Sequence, residues 1–220
     1  MILINFKNYK ETFGEKSLEL AKLCADLSQK KQIEIIPIVC ALDVYKIKKE
    51  VGISPYIQSV DGMEMGAKTG YINALKALEA GAGGSLINHS EKRLKPGTIK
   101  KILKVWPKEL KSVLCLQSLG QTTSWAKNLR PTMIAYEPSY LIGSKDKSVA
   151  TEKPKVIKKI SEFYKDIPIL AGAGIKDKED VQVTLKMGGK GILLASGIIK
   201  SSNPQEQLLK LISGFSDIID

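Results

Sequence analysis

Three side chains able to move or steady a proton stand where short apolar runs end. Lys7 lies in Asn5-Phe6-Lys7-Asn8, the single histidine His89 in Asn88-His89-Ser90-Glu91, and Glu137 in Ala135-Tyr136-Glu137-Pro138. A carboxylate can remove a proton from the carbon beside a carbonyl. A neutral imidazole and an ammonium can steady the oxygen charge that then develops. Ser90 followed by acidic Glu91 predicts a helix opening directly behind His89. The free amides of such a helix end disfavour a charged imidazole, so His89 is expected to stay neutral at pH 7. Two further runs end in small-residue turns, Ala171-Gly172-Ala173-Gly174 and Leu194-Ala195-Ser196-Gly197. Backbone amides at Gly174, Ser196 and Gly197 suit a phosphate. Each feature has a plainer alternative. A lone histidine is often just a satisfied half-buried one, a lysine usually a surface group, a Glu-Pro pair a strand end, and a glycine turn a tight connection.

Behind these residues the hydrophobic pattern alternates from end to end. Apolar runs predict strands at residues 2–6, 33–39, 56–60, 85–88, 112–116, 133–137, 167–171 and 191–194. Helical stretches lie between them, among them 15–29, 74–80, 154–164, 178–187 and 204–212, with Asp177 and Asn203-Pro204 as the clearest starts. Most of the strand runs are apolar on both faces, as parallel strands covered by helices must be. Eight strand-helix units in 220 residues leave about 28 residues each. An open doubly wound sheet is possible, but eight repeats favour a closed single-domain (β/α)8 barrel over residues 1–220 with some helices shortened. Gly66, Gly70, Pro96 and Gly97 break the pattern after the third and fourth strands. In such a barrel the residues just past each strand line one common mouth, so the lysine, histidine and glutamate are expected to converge.

Composition narrows the function. No apolar run approaches the roughly 20 residues of a spanning helix, and Met1-Ile2-Leu3-Ile4 reaches polar Asn5 too soon for a signal peptide. A cytoplasmic protein with no membrane partner is expected. Cys24, Cys40 and Cys115 are scattered and have one histidine for company, which excludes the usual zinc spacings and argues for reduced thiols. No metal and no cofactor are expected; the glycine turns also lack the G-x-G-x-x-G dinucleotide pattern. The net charge of +11 raises nucleic acid as a partner, but only Arg93 and Arg130 are arginines and no aromatic residues interleave with the lysines. A solvated lysine-rich surface is the better reading, with some of its field able to steer an anionic substrate.

The ordered set of motifs resembles the triosephosphate isomerase family in its short archaeal form, over essentially the whole chain. The motifs that carry the likeness are Asn5-Phe6-Lys7, Asn88-His89-Ser90-Glu91-Lys92-Arg93, Ala135-Tyr136-Glu137-Pro138 with Leu141-Ile142-Gly143, and Leu193-Leu194-Ala195-Ser196-Gly197. The resemblance implies interconversion of dihydroxyacetone phosphate and D-glyceraldehyde 3-phosphate through an enediolate, in glycolysis and gluconeogenesis. It implies Glu137 as base, His89 as electrophile, and Lys7 with Asn5 and Phe6 at the substrate. By the same likeness Ile142, Gly143, Gly174, Ala195, Ser196 and Gly197 hold the phosphate, while Glu91 and Cys115 support the site. Gly66-Ala67-Lys68-Thr69-Gly70 resembles the family's protruding third loop, with Thr69 at its tip. That loop implies a homodimer or homotetramer in which it enters a neighbouring subunit.

One stretch departs from the family. After Ile142-Gly143 the chain runs Ser144-Lys145-Asp146-Lys147-Ser148-Val149, with Lys145 where a glycine is expected. The loop tip is therefore expected to close in its own way, between hinges near Pro138 and Ala150; Tyr140 also replaces a tryptophan or glutamate. Two rival readings stand beside the isomerase. Another phosphosugar isomerase or epimerase would usually need a second acid/base or a metal site, and a basic nucleic-acid-binding barrel would need no turnover.

Overall fold

The computed structural model describes residues 1–61, 65–144 and 146–216. Eight parallel strands close into a barrel in chain order, with β8 pairing back on β1. They are β1 (Ile2–Asn5), β2 (Ile35–Val39), β3 (Tyr56–Ile57), β4 (Gly84–Ile87), β5 (Lys111–Leu116), β6 (Met133–Tyr136), β7 (Ile169–Ala171) and β8 (Gly191–Leu194). The outer layer contains α1 (Glu15–Lys31), α2 (Val44–Val51), α3 (Ala74–Glu79), α4 (Pro96–Lys104), α5 (Leu119–Thr123), α6 (Val149–Glu152), α7 (Pro154–Phe163), α8 (Lys178–Lys186), α9 (Ser196–Ile199) and α10 (Pro204–Ser216).

Alternation along the strands sorts two cores. Leu3, Ile38, Leu86, Val113, Cys115, Met133, Ala135, Leu170 and Leu193 pack together inside the barrel. Ile2, Ile4, Phe6, Ile57, Ile87, Leu114, Ile134, Ile169 and Ile192 face the helices. Both faces of every strand are therefore buried, which explains the continuous apolar runs. Tyr56 occupies the interior beside Gly84, where a Cβ would come within 2.7 Å of its ring.

Several starts and stops are local chemistry. Asp177 caps α8 by accepting the Asp180 amide at 2.9 Å. Asn203 accepts the Glu206 amide at 3.1 Å and returns a side-chain bond to Glu206 Oε2, opening α10. Pro96-Gly97, expected to break the pattern, instead opens α4: proline fits a first helical position, where its missing N–H is no loss. The helix after β5 is short, with α5 only 5 residues long. The helix expected directly behind His89 is not formed. Residues 90–92 make one turn, closed by the Lys92 amide on the His89 carbonyl at 2.9 Å, and α4 starts only at Pro96.

Candidate active site

Alternation also aims the site residues. On β1, Leu3 points inward and so does Asn5; Lys7 follows them into the mouth, whereas Phe6 turns outward and is buried against the helices. Phe6 thus lies outside the cavity lining, and the pleat is the physical reason. On β6, Met133 and Ala135 lead inward to Glu137 in the same register. β4 breaks the rule. With Leu86 inward, His89 would face out, but Asn88 takes a left-handed φ of 63° and redirects the chain so that His89 lines the mouth. Asn88 is held in that conformation from both sides: its Nδ2 donates to Cys115 O at 3.0 Å and its Oδ1 accepts the Leu94 amide at 2.9 Å. Lys7 is left-handed too, at φ 50°. Its amide donates to Asn5 Oδ1 at 3.0 Å, and Gln58 Nε2 donates to its carbonyl at 2.8 Å. A non-glycine residue in this region costs roughly 1–2 kcal/mol, which those bonds offset.

The result is one cavity of about 470 Å³ at the C-terminal ends of the strands. Asn5, Lys7, His89, Glu137, Ile142, Gly143, Gly174, Ala195, Ser196 and Gly197 all line it. Glu137 is 6% exposed, and its Oε2 has no hydrogen-bond partner among the described residues. That oxygen stands 3.7 Å from His89 Nε2. Gly172 leaves the room: a Cβ there would lie 3.0 Å from Glu137 Cγ and 2.7 Å from Leu193 O. Burial pushes the Glu137 carboxyl up to about 7, against the pull of a hydrogen bond from the Cys115 thiol and the charge of Lys7. Cys115 lies buried behind it, and burial with the neighbouring carboxylate raises the thiol well above its ordinary value, so it stays a donor.

His89 is 7% exposed. Burial lowers its pKa, Glu91 raises it and Lys7 lowers it again. Its neutrality therefore comes from burial, not from a helix end as the sequence suggested. The Glu91 amide donates to His89 Nδ1 at 3.3 Å, which places the proton of the neutral ring on Nε2, facing Glu137 and the cavity. Glu91 itself pairs with Lys7, Nζ to Oε1 at 2.6 Å, and borders the adjoining pocket with Gln58 and Lys92.

The opposite wall is made of backbone. Ser196 and Gly197 form the first turn of α9, where amides have no intrahelical acceptor. Gly174, at φ 76°, lies against the Lys147 carbonyl and Ser148 with no room for a side chain. Gly143, at φ 77°, begins the loop tip, where the Lys147 amide donates to Ser144 Oγ at 3.0 Å. Lys145 lies outside the described residues. Sequence reasoning missed Tyr9, Lys176 and Lys200, which also line the cavity; Lys200 Nζ sits 4.3 Å from the Tyr9 ring centroid. Only their spacing from the strand ends hinted at them. Thr69 does not reach this cavity: residues 65–70 are exposed, beside the exposed apolar side chains of Met65, Tyr71 and Leu75.

The arrangement can abstract a proton next to a carbonyl and hold an anion on backbone amides that line the same cavity. Comparison with known proteins points the same way. The family model described as triosephosphate isomerase matches residues 1–215. Relatives named triosephosphate isomerase from Methanothermus fervidus and Archaeoglobus fulgidus are 38% and 39% identical. The matches cover 97% of both chains in the first case and 96% of both in the second. The crystal structure of triosephosphate isomerase from Bartonella henselae superposes with a TM-score of 0.70 at 21% identity, covering 97% of this chain and 96% of that one. The last match speaks to the fold alone.

Proposed function

The chain belongs to the triosephosphate isomerase family, and from that premise we infer how its cavity interconverts dihydroxyacetone phosphate and D-glyceraldehyde 3-phosphate. Glu137 takes the proton from the carbon beside the carbonyl. Its buried Oε2, left without a hydrogen-bond partner among the described residues and facing the His89 Nε2–H, is the observation that carries this reading. A carboxylate with a pKa near 7 is both ionised and basic enough to work at neutral pH. Neutral His89 donates to the substrate oxygens and moves protons between them as the enediolate forms and collapses. Lys7, bent into the mouth and braced by Glu91, steadies the same developing charge. The amides of Gly143, Gly174, Ser196 and Gly197 hold the phosphate dianion, with Ile142 and Ala195 shaping the wall around it.

Proton transfer of this kind needs only side chains, so the reading calls for no metal and no organic cofactor. The sixth loop, residues 138–150, covers the intermediate, which when exposed to water would otherwise eliminate its phosphate. Among the described residues no helix is long and apolar enough to cross a membrane, and we place the enzyme in the cytoplasm, in glycolysis and gluconeogenesis. The exposed third loop, with Thr69 near its tip and Met65 and Tyr71 beside it, supports a homodimer or homotetramer in which that loop docks on a second copy.

A coupled assay on glyceraldehyde 3-phosphate, in chelator-treated buffer, tests the reading directly. Turnover is expected without added metal. Turnover that depended on a divalent cation would move the assignment to another phosphosugar isomerase or epimerase. Binding of nucleic acid without turnover would remove the enzyme reading altogether.

A further inference from the structure

The sixth loop rejoins the helix layer at Ser148, and a buried carboxylate meets it there. Asp180, in the first turn of α8, is only 2% exposed. Its Oδ1 accepts from Ser148 Oγ, and its Oδ2 accepts the backbone amide of Lys176 at 3.1 Å. One carboxylate thereby joins three stretches of chain: the end of the sixth loop, the seventh loop and α8. The same joint carries further ties. The Val149 amide donates to Ala173 O at 3.0 Å, and Gln207 Nε2, from α10, donates to Lys176 O at 2.6 Å. Lys176 Nζ reaches back over the sixth loop to Asp146 O at 2.5 Å.

The two loops joined here both contribute cavity wall, Ile142 to Ser144 from one and Ala173 to Lys176 from the other. Asp180 touches neither cavity nor substrate, and an apolar side chain would fill its site without desolvating a charge. We propose that Asp180 is a positioning residue for the isomerisation. Through Ser148 and the Lys176 amide it keeps the anchored end of the sixth loop in register with the seventh. The Gly143 and Gly174 amides then converge on one phosphate, and the cavity stays shut over the enediolate. This rests on the isomerase reading above.

A poorly seated loop has a chemical signature. When water reaches the enediolate, its electron pair shifts to break the bond between the terminal carbon and the phosphate oxygen. Inorganic phosphate leaves with that pair, and the remaining enol takes up a proton as an oxo-aldehyde. The experiment measures kcat, KM, Tm and inorganic phosphate released per isomerisation for Asp180→Ala, Ser148→Ala, the double variant and Asp180→Asn. Both alanine variants are expected to lose about 10- to 100-fold in kcat at temperatures well below their Tm. Phosphate release per turnover should rise at least about tenfold in both, and the double variant should add little to either single one. Asn can accept from the Lys176 amide and donate to Ser148 Oγ, so Asp180→Asn should keep phosphate release within about threefold of wild type.

Alanine variants with lowered Tm but unchanged kcat and phosphate release would make Asp180 a purely structural residue and overturn the proposal. If Asp180→Ala does not fold, Ser148→Ala decides alone, since it cuts the loop side and leaves α8 intact. Absence of isomerase turnover in the wild-type protein would instead remove the reading on which the proposal stands.

Discussion

β6 and β4 each deliver a side chain to the same 470 Å³ cavity, yet by different means. Glu137 arrives by plain alternation after Met133 and Ala135, so its direction follows from the pleat of the strand. His89 arrives against alternation, because Asn88 adopts a left-handed backbone held by Cys115 O and the Leu94 amide. The first arrangement is secured by the whole barrel. The second depends on two hydrogen bonds and stores local strain, so it should be the easier one to break without unfolding the protein.

The largest effect should come from the residue that alternation aims. Glu137→Gln keeps the shape and removes the proposed base, and kcat is expected to fall by about 10²–10⁴ or more. Stability should move the other way. Burial raises the folded-state pKa from 4.5 to about 7, so the folded protein binds this proton more tightly than the unfolded chain does. Stability from this group is greatest below pH 4.5 and is lost as pH rises through about 7. Above pH 7 the glutamine variant should therefore melt higher than wild type; scanning calorimetry at pH 8 checks this. A variant that kept a tenth of the turnover would remove Glu137 from the role of base.

Next should come the residue that holds β4's exception. Asn88→Ala removes both bonds that support φ 63°, and kcat is expected to drop about 10- to 100-fold through misaimed His89. The cost in stability should be about 1–3 kcal/mol. Asn88→Gly relieves the backbone strain but restores neither bond, so it should recover stability better than turnover. If both variants kept wild-type kcat, the left-handed residue would not be what aims the histidine.

A smaller effect separates the two carboxylate neighbours. kcat/KM should rise with pH to a plateau above a midpoint near 7, the pH at which Glu137 becomes ionised. The Cys115 thiol bond and the charge of Lys7 hold that midpoint down, so Cys115→Ala should move it upward and lower turnover mainly on the acid side. A midpoint that shifted downward would contradict the bond. For the imidazole the direction is opposite, since burial lowers its pKa. NMR of the only histidine should find it neutral on Nδ1 at pH 7, with a titration midpoint below the ordinary ~6.5.

The smallest effect on turnover belongs to Phe6, which sits between two mouth residues and points away from both. Phe6→Leu should cost about 1 kcal/mol of stability, from lost packing against the helices, and leave kcat and KM within about twofold. A large rise in KM would mean that the ring shapes the cavity after all.

The succession of eight apolar runs and intervening helical stretches was enough to place eight strands, to close them into a barrel and to bring Lys7, His89 and Glu137 to one mouth. These are consequences of strands buried on both faces and of short connections, both of which leave their mark locally in the chain. The two-residue pleat of a strand, applied residue by residue, would have turned Phe6 outward. The place of Gly174, Ser196 and Gly197 in the cavity wall was legible as well, because glycine and small residues mark where backbone comes close to its surroundings. Other features came only with the tertiary structure. Ser90-Glu91 carry the composition of a helix start, but Asn88's ties to Cys115 and Leu94 hold the chain in a turn until Pro96. The neutrality of His89 and the raised pKa of Glu137 come from burial, a property of the packed barrel rather than of any neighbour in sequence. Asp180, four residues along from Lys176 and 32 from Ser148, reads in the chain as one more acid in the first turn of a helix. The Lys176 amide is a local partner four residues back, but only the closed barrel, by bringing the sixth and seventh loops side by side, gives that carboxylate Ser148.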